Sequence, residues 1–137
     1  MAKEGATDVV GAGGAAVPRL PARHRRTTGL GLTEGHLNIQ ILHGAKMYPA
    51  LKLMRNNSGA RKGGKVRYGL GTGSADWIGC LRGRFFAIEA KKEDGVTSDA
   101  QMAWLAEIRA VGGFAAVVRS IEEFHQAVAR AAKGESR

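Results

Sequence analysis

Two strand-like segments joined by a very short connection constrain the fold of this 137-residue chain more than any other feature. Residues 75–81 and 85–91 are rich in apolar and aromatic residues, and the Arg-Gly-Arg at 82–84 is short enough to be a tight connection. Such a pair of segments predicts a β-hairpin. Because side chains alternate along a strand, Glu89 and Lys91 should project from the same face of the sheet.

Helical patterns flank this hairpin on both sides. Thr33 is a suitable N-cap for a helix of about ten residues, and a capping box at 98–101 begins a second helix. The apolar stripe of that second helix is expected at Met102, Leu105, Ile108 and Val111. The apolar run at 114–118 is typical of a buried strand, and another capping box at 120–123 begins a third helix. With a further strand at 51–54, the order of elements predicts a small α/β layer fold.

The charge of the chain is strongly asymmetric. The formal net charge is +9 at pH 7, and the first 70 residues carry 12 Lys and Arg against 3 Asp and Glu, whereas residues 71–137 carry 9 of each. A basic half suits a polyanionic partner such as DNA or RNA, through phosphate neutralisation and counterion release. A basic tail would give the same count, because residues 1–30, rich in Gly, Ala, Pro and Arg, are expected to form a flexible basic segment before a domain at 31–137.

Membrane and secretory features are not expected in this chain. No stretch approaches the roughly 18 consecutive apolar residues of a membrane span, and no compact apolar run with a cleavage site follows the N-terminus. The lone Cys80 cannot form an internal disulfide and fits a reducing compartment. We therefore expect a cytoplasmic protein.

Asp76 and the triplet Glu89-Ala90-Lys91 carry the clearest chemical signal. The hairpin partner can bring Asp76 beside Glu89, and two converging carboxylates repel each other unless a cation lies between them. An oxygen-only set suits Mg²⁺ or Mn²⁺, and the main-chain carbonyl of Ala90 could add another oxygen. Such an ion could polarise a phosphodiester, while Lys91 holds or deprotonates a water molecule or stabilises transition-state charge. Each residue alone could equally be a turn residue or part of a solvated ion pair.

The residues around this cluster resemble a known family. The resemblance rests on Thr33-Glu34, Arg55-Asn56-Asn57-Ser58-Gly59, Gly73-Ser74-Ala75-Asp76-Trp77-Ile78-Gly79, Phe86-Ala87-Ile88-Glu89-Ala90-Lys91, residues 98–101, Trp104 and residues 112–120. In this order, over about residues 33–124, the chain resembles the PD-(D/E)XK nuclease superfamily, and within it the virus-type replication-repair nuclease (VRR-NUC) domain. One departure is Ala75, which stands before Asp76 in place of a proline that would serve turn geometry.

This resemblance implies a restriction-endonuclease-like α/β core, a small mixed β-sheet flanked by helices. It also implies a metal-dependent, structure-selective DNA endonuclease acting in replication, repair or recombination. It implies metal ligands at Asp76 and Glu89 and a catalytic lysine at Lys91. Glu34 would be the acidic residue of the first helix that supports the metal site, and Gln101 the glutamine near the site on the helix after the core strands. The similar stand-alone proteins of phages and bacteria imply a dimer that prefers branched or four-way junction DNA.

Cationic residues next to the predicted site are candidates for contacts with DNA phosphates. They are Arg55, Arg61, Lys62, Lys65 and Arg67. An ordinary solvated loop would have the same composition.

A homodimer is expected because one small active site cuts one strand, whereas a symmetric pair places two sites on a branched duplex. Two alternatives stay open. The chain could be a basic nucleic-acid-binding protein without catalysis, or a junction-resolving specialist with the same chemistry and a narrow substrate range.

Overall fold

The structure is a computed structural model that describes residues 7–9, 16–18, 33–60, 63–64 and 66–137. Its strands are β1 (Thr7–Val9), β2 (Ala16–Pro18), β3 (Leu51–Arg55), β4 (Gly59–Ala60), β5 (Arg67–Tyr68), β6 (Trp77–Leu81), β7 (Arg84–Ala90) and β8 (Phe114–Val118). Its helices are α1 (Glu34–Ala45), α2 (Asp99–Ala110) and α3 (Ile121–Ala132). Within these described ranges, no helix has the length and apolar character needed to cross a membrane. Most of the predicted flexible segment at 1–30 lies outside the described residues, so that prediction stays open.

A four-stranded mixed sheet with the order β3-β6-β7-β8 organises the fold. The first three strands are antiparallel, and β8 runs parallel to β7, with α2 as the connection between them. β1 pairs with β2 and β4 with β5, each as a separate antiparallel pair. The prediction of a small mixed sheet flanked by helices is therefore confirmed.

The predicted β6–β7 hairpin is confirmed, although its strands begin and end at slightly different residues. Arg82 and Gly83 form the connection with positive φ angles of 53° and 80°. Two successive residues with positive φ form a tight turn whose twist matches that of the paired strands. β7 ends at Ala90, so Lys91 is the first residue after the strand.

Helices cover the two faces of the sheet with cores of different size. α1 and α3 pack on one face, where Phe86, Ile88 and Ala90 of β7 are fully buried. α2 packs on the other face through Leu105, over small side chains that include Ala87. The predicted alternation of β7 is therefore confirmed, and it sets Glu89 on the α2 face.

The apolar stripe expected on α2 differs from the one observed. The sequence pattern indicates Met102, Leu105, Ile108 and Val111, yet Met102 is 57% exposed and Val111 is 83% exposed. Leu105 is the residue of α2 that is fully buried, with Trp104 and Ile108 partly buried beside it. The sheet face below α2 presents Ala87 and Ala115 together with Ile78 and Val117. Leu105 packs into this face, and Met102 and Val111, at the ends of the expected stripe, stay exposed.

Serine and threonine side chains begin all three helices in the described chain. The Thr33 Oγ1 accepts a hydrogen bond from His36 N, and Ser98 with Gln101 forms the complete capping box that the sequence predicts. The predicted box at Ser120 forms only in part. The Ser120 hydroxyl accepts from Glu123 N, but the Glu123 carboxylate accepts from the main-chain N–H of Arg119 and not from that of Ser120.

A buried polar pair lies between the segment after α1 and helix α3. The Tyr48 hydroxyl and His125 Nδ1 are 2.5 Å apart, and both side chains are buried. Burial lowers the pKa of His125 to about 4 and raises that of Tyr48. The imidazole is therefore neutral near pH 7 and accepts the hydrogen bond from the tyrosine hydroxyl.

Candidate active site

Two carboxylates, Asp76 and Glu89, meet at the open end of the β6–β7 hairpin. The strand register pairs Trp77 with Ile88, so one further residue in the same register sets Asp76 opposite Glu89. The main-chain N–H of Ala90 donates to Oδ2 of Asp76 over 3.0 Å. The hairpin therefore fixes the Asp76 side chain against the end of β7, as the sequence pattern predicts.

Glu89 is a buried acid, with 3% of the residue exposed. Its Oε2 accepts a 2.7 Å hydrogen bond from Gln101 Nε2 and lies 3.6 Å from Lys91 Nζ. Its Oε1 is also buried and has no hydrogen-bond partner in the part of the chain that is described. A buried oxygen without a partner is unfavourable, so this atom marks a position where a ligand can bind.

Burial and a neighbouring negative charge change the acidity of Glu89. Loss of solvation, followed by the charge of Asp76, raises the pKa of Glu89 to about 7, while the Lys91 ammonium opposes this rise. The carboxylate is consequently only partly ionised near neutral pH. A cation placed between the two acids would favour the ionised form of both.

Asp76 has a more polar environment than Glu89. Burial raises its pKa, whereas the hydrogen bond from Ala90 and the guanidinium of Arg55, 3.7 Å from Oδ1, lower it. The charge of Glu34 on the first turn of α1 adds a further rise. Glu34 therefore lies close enough to Asp76 for electrostatic coupling.

Gln101 connects the carboxylate site to helix α2. Its Oε1 accepts from Ser98 N over 2.9 Å, and its own main-chain N–H donates to Ser98 Oγ, which completes the capping box. Its Nε2 donates to Glu89. One side chain therefore caps the helix and orients the buried acid.

A polar network holds the main chain of Asp76, built from residues that the sequence resemblance includes but to which it gives no role. Asn56 N donates to the Asp76 carbonyl over 2.7 Å, and Asn56 Nδ2 donates to Ser74 Oγ and to the Ala75 carbonyl. The hydroxyls of Ser58 and Ser74 are 2.8 Å apart. Asparagine and serine are ordinary turn residues, so the sequence carries no signal that separates this network from a solvated turn.

Arg119 is a second residue that the sequence did not reveal. It follows β8, and its Nη1 donates to the carbonyls of Lys92 and Gly95 over 3.0 and 2.6 Å. The segment directly after Lys91 is thereby fastened to the end of the neighbouring parallel strand. Only the pairing of β7 with β8 brings these segments together, so spacing along the chain gives no hint of the contact.

A cleft of about 750 Å³ opens beside Asp76, between the β3–β5 region and the N-terminus of α2, while Glu89 and Lys91 do not line it. It is lined by Arg55, Asn56, Asn57, Ser58, Gly59, Arg67, Tyr68, Gly71, Thr72, Gly73, Ser74, Asp76, Ser98, Ala100 and Gln101. Two of the predicted phosphate-contacting cations therefore lie on its wall. Arg61, Lys62 and Lys65 lie outside the described residues, so their role stays a prediction. The helix N-terminus adds main-chain N–H groups that favour anions.

The side chains at this site suit a hard divalent cation with few protein ligands. No group of three or more His, Cys, Asp and Glu side chains in the described part of the chain could hold a metal ion. Mg²⁺ keeps several waters and is commonly bound through one or two carboxylates, which matches the set of Asp76 and Glu89. The buried Oε1 of Glu89, without a partner among the described residues, supports this fit. The Ala90 carbonyl as a further ligand stays a prediction.

No protein-family model matches the chain, and a search of curated proteins also finds no match.

Proposed function

We propose that the protein is a metal-dependent DNA endonuclease with a PD-(D/E)XK core, similar to the VRR-NUC type. The observation that carries this proposal is the pair of adjacent carboxylates, Asp76 and Glu89, with a lysine 3.6 Å from one of them and an oxygen that has no partner among the described residues. A cleft with arginines on its wall is lined by Asp76 of this pair and by Gln101, which donates to Glu89. A mixed sheet flanked by helices is compatible with the proposed core.

Each residue would have a separate role in phosphodiester hydrolysis. Asp76 and Glu89 would hold Mg²⁺ or Mn²⁺, with the Ala90 carbonyl as a further ligand. When bound, the ion would supply Lewis-acid stabilisation of the charge that develops on the phosphate. Lys91 would hold the attacking water by a hydrogen bond or stabilise the negative charge of the transition state. Gln101 would keep Glu89 oriented, and Glu34 would add negative charge that favours binding of the metal ion.

DNA is the proposed substrate because of the charge distribution around the cleft. Arg55 and Arg67 lie on its wall, and Arg61, Lys62 and Lys65 are close to them along the chain. Cations beside a hydrolytic centre position a phosphate backbone without reading its sequence. Action on branched DNA in replication, repair or recombination by a homodimer, in the cytoplasm of a bacterium or a phage-infected cell, completes the proposal.

The test is a cleavage assay on single-stranded, duplex, flap and four-way junction DNA with Mg²⁺, Mn²⁺ or a chelator. Asp76→Asn, Glu89→Gln and Lys91→Met should each lower the rate about 100-fold or more, since each loses a charge in the reacting centre. Lys92→Met is the matched control, because Lys92 is the next lysine and pairs with Asp94 on the exposed surface. The control should cut like the parent. Cleavage by all four variants at the rate of the parent would refute the proposal.

The strongly basic half of the chain also supports a second candidate, a nucleic-acid-binding protein without catalysis. Such a protein would bind DNA with an affinity that falls steeply with salt, because binding releases counterions. It would show no cleavage with any divalent metal. The same substrate panel therefore separates the two functions.

A further inference from the structure

Tyr68 is a half-exposed aromatic residue on the wall of the cleft, away from both apolar cores. It is the last residue of β5, lines the cleft beside Asp76, and leaves 53% of its surface accessible. An accessible tyrosine at a polar, cationic cleft is unexplained by folding, because its ring contributes to neither core. The geometry around the ring indicates what it can bind.

The Tyr68 ring lies over a glycine in the neighbouring strand. Gly59 is its direct partner in the β4–β5 pair. A Cβ atom at Gly59 would come within 2.7 Å of the tyrosine Oη and 3.0 Å of Cζ, so only glycine leaves room for the ring in this position. The ring is therefore supported by the strand backbone on one side, while much of its surface stays open.

Hydrogen bonds connect the Tyr68 segment to the carboxylate site. Gly69 has a φ of 86°, and a Cβ there would lie 2.6 Å from Ser58 Cα, so the chain packs closely against Ser58. Leu70 N donates to Ser58 Oγ, and that hydroxyl donates to Asn56 Oδ1. Asn56 N in turn donates to the carbonyl of Asp76. These contacts fasten the segment that carries Tyr68 to the main chain of Asp76.

Two cations line the same cleft as the ring, although the Arg55 guanidinium itself lies over the Trp77 ring, 5.4 Å from its centroid. Arg67 precedes Tyr68 and is held by a 2.9 Å hydrogen bond from its Nη1 to Thr72 Oγ1, and Arg55 lies on the same cleft wall beside Asp76. An accessible aromatic ring next to cations is the combination that binds single-stranded nucleic acids, through base stacking and phosphate contacts. The cleft therefore offers both contacts at once.

We propose that Tyr68 is a stacking platform for an unpaired nucleobase of the DNA strand bound in this cleft. The proposal rests on the proposed function in one respect, that the cleft binds DNA. Bases inside a duplex stack on each other, so only an unpaired or extruded nucleotide can place its face on the ring. The preferred substrate would then carry unpaired nucleotides next to the scissile phosphate, as flaps, overhangs and opened junctions do.

The experiment measures binding in the presence of a chelator, so that no cleavage occurs. The probes are a fluorescent duplex with an eight-nucleotide thymidine overhang and the same duplex with abasic sites in the overhang. Fluorescence anisotropy measures the affinity of the protein for each probe. The parent should bind the thymidine overhang about tenfold more tightly than the abasic overhang, in the range expected for base–aromatic stacking. Tyr68→Ala should bind both probes equally, and Tyr68→Trp should keep the preference.

Phe85→Leu is the matched control, because Phe85 is an exposed aromatic at the start of β7 and does not line the cleft. It should retain the preference of the parent. The proposal is overturned if the parent shows no preference for the thymidine overhang, or if Tyr68→Ala shows the same preference as the parent. Cleavage without a base preference would remove the stacking role and keep the nuclease. A Tyr68-dependent base preference without cleavage under any divalent metal would keep the stacking role and remove the nuclease function.

Discussion

The side-chain amide of Gln101 donates a 2.7 Å hydrogen bond to Oε2 of Glu89, which ties the first turn of α2 to the end of β7. The same amide accepts from Ser98 N in the capping box of α2. The orientation of a buried acid is thus linked to the formation of a helix N-terminus that lines the cleft. The capping of α2 and the positioning of Glu89 can be separated by mutation, because Ser98 takes part only in the capping.

Ser98→Ala and Gln101→Ala form a matched pair for this separation. Each removes part of the capping box and should lower the free energy of unfolding by about 0.5–2 kcal/mol. Only Gln101→Ala removes a donor from ionised Glu89, so it should raise the pKa of Glu89 further and move the pH–rate profile to higher pH. Urea unfolding and cleavage rates from pH 6 to 9 measure both effects. Identical pH profiles for the two variants would contradict the positioning role.

Divalent metal should stabilise the fold more at pH 8 than at pH 6. The pKa of Glu89 is about 7 in the fold and 4.5 in the unfolded chain, so below pH 7 a metal ion must displace a proton. Without metal, the contribution of Glu89 to stability is fully present below pH 4.5. It is lost as pH rises through 7, by up to about 3 kcal/mol, because the fold favours the protonated acid.

Thermal unfolding with and without 10 mM Mg²⁺, a concentration on the order of that used for weak carboxylate sites, checks this expectation. The parent should show a larger metal-induced rise in Tm at pH 8. Glu89→Gln should show almost no rise at either pH. A parent whose rise is equal at both pH values would contradict the raised pKa of Glu89.

Acid should weaken the fold through the buried histidine of α3. The pKa of His125 falls to about 4 in the fold from 6.5, so the unfolded chain binds more protons between these values. The contribution of the neutral ring is fully present above pH 6.5 and is lost toward pH 4, by up to about 3 kcal/mol. The opposing titration of Glu89 overlaps this window, so a comparison of variants is needed.

Urea unfolding at pH 7, 5.5 and 4.5 isolates the contribution of His125. His125→Gln should be less stable than the parent at pH 7, since it disturbs the contact with Tyr48, and the difference should shrink as pH falls. His36→Gln, a change at an exposed histidine on α1, should follow the parent at every pH. If the stability difference between His125→Gln and the parent is constant over this pH range, the lowered pKa of His125 is refuted.

The parts of the site that follow from local periodicity could be predicted from sequence. Alternation along β7 sets Glu89 and Ala87 on one face, and the short Arg82-Gly83 connection brings Asp76 back to the same end of the hairpin. These features depend on neighbours within one hairpin, so the sequence determines them almost directly.

Contacts that depend on tertiary packing could not be predicted. Arg119 reaches the segment after Lys91 only because β8 pairs in parallel with β7. The exposure of Met102 and Val111 follows from how α2 packs on the sheet through Leu105, and the periodicity of the helix alone does not predict it. The supporting role of Asn56 likewise depends on where β3 ends relative to β6.

A central glycine in β6 should be required for the pairing of β3 with β6. A Cβ atom at Gly79 would overlap the carbonyl oxygen of Lys52 and lie 2.9 Å from its carbonyl carbon, so the strands must separate locally. Gly79→Ala should destabilise the fold by roughly 2 kcal/mol or more. Gly35→Ala, at an exposed position of α1, has space for the methyl group and should be neutral or stabilise by up to about 1 kcal/mol. Chemical denaturation of both variants checks this, and equal stabilities would contradict the close approach.

Direct binding of Mn²⁺ to the intact protein tests the central claim without reference to any substrate. Calorimetric titration at pH 8 should show a metal site in the parent that is lost in Asp76→Asn and in Glu89→Gln, and kept in Lys92→Met. A parent that binds no Mn²⁺, or carboxylate variants that bind it as the parent does, would contradict a metal site at Asp76 and Glu89.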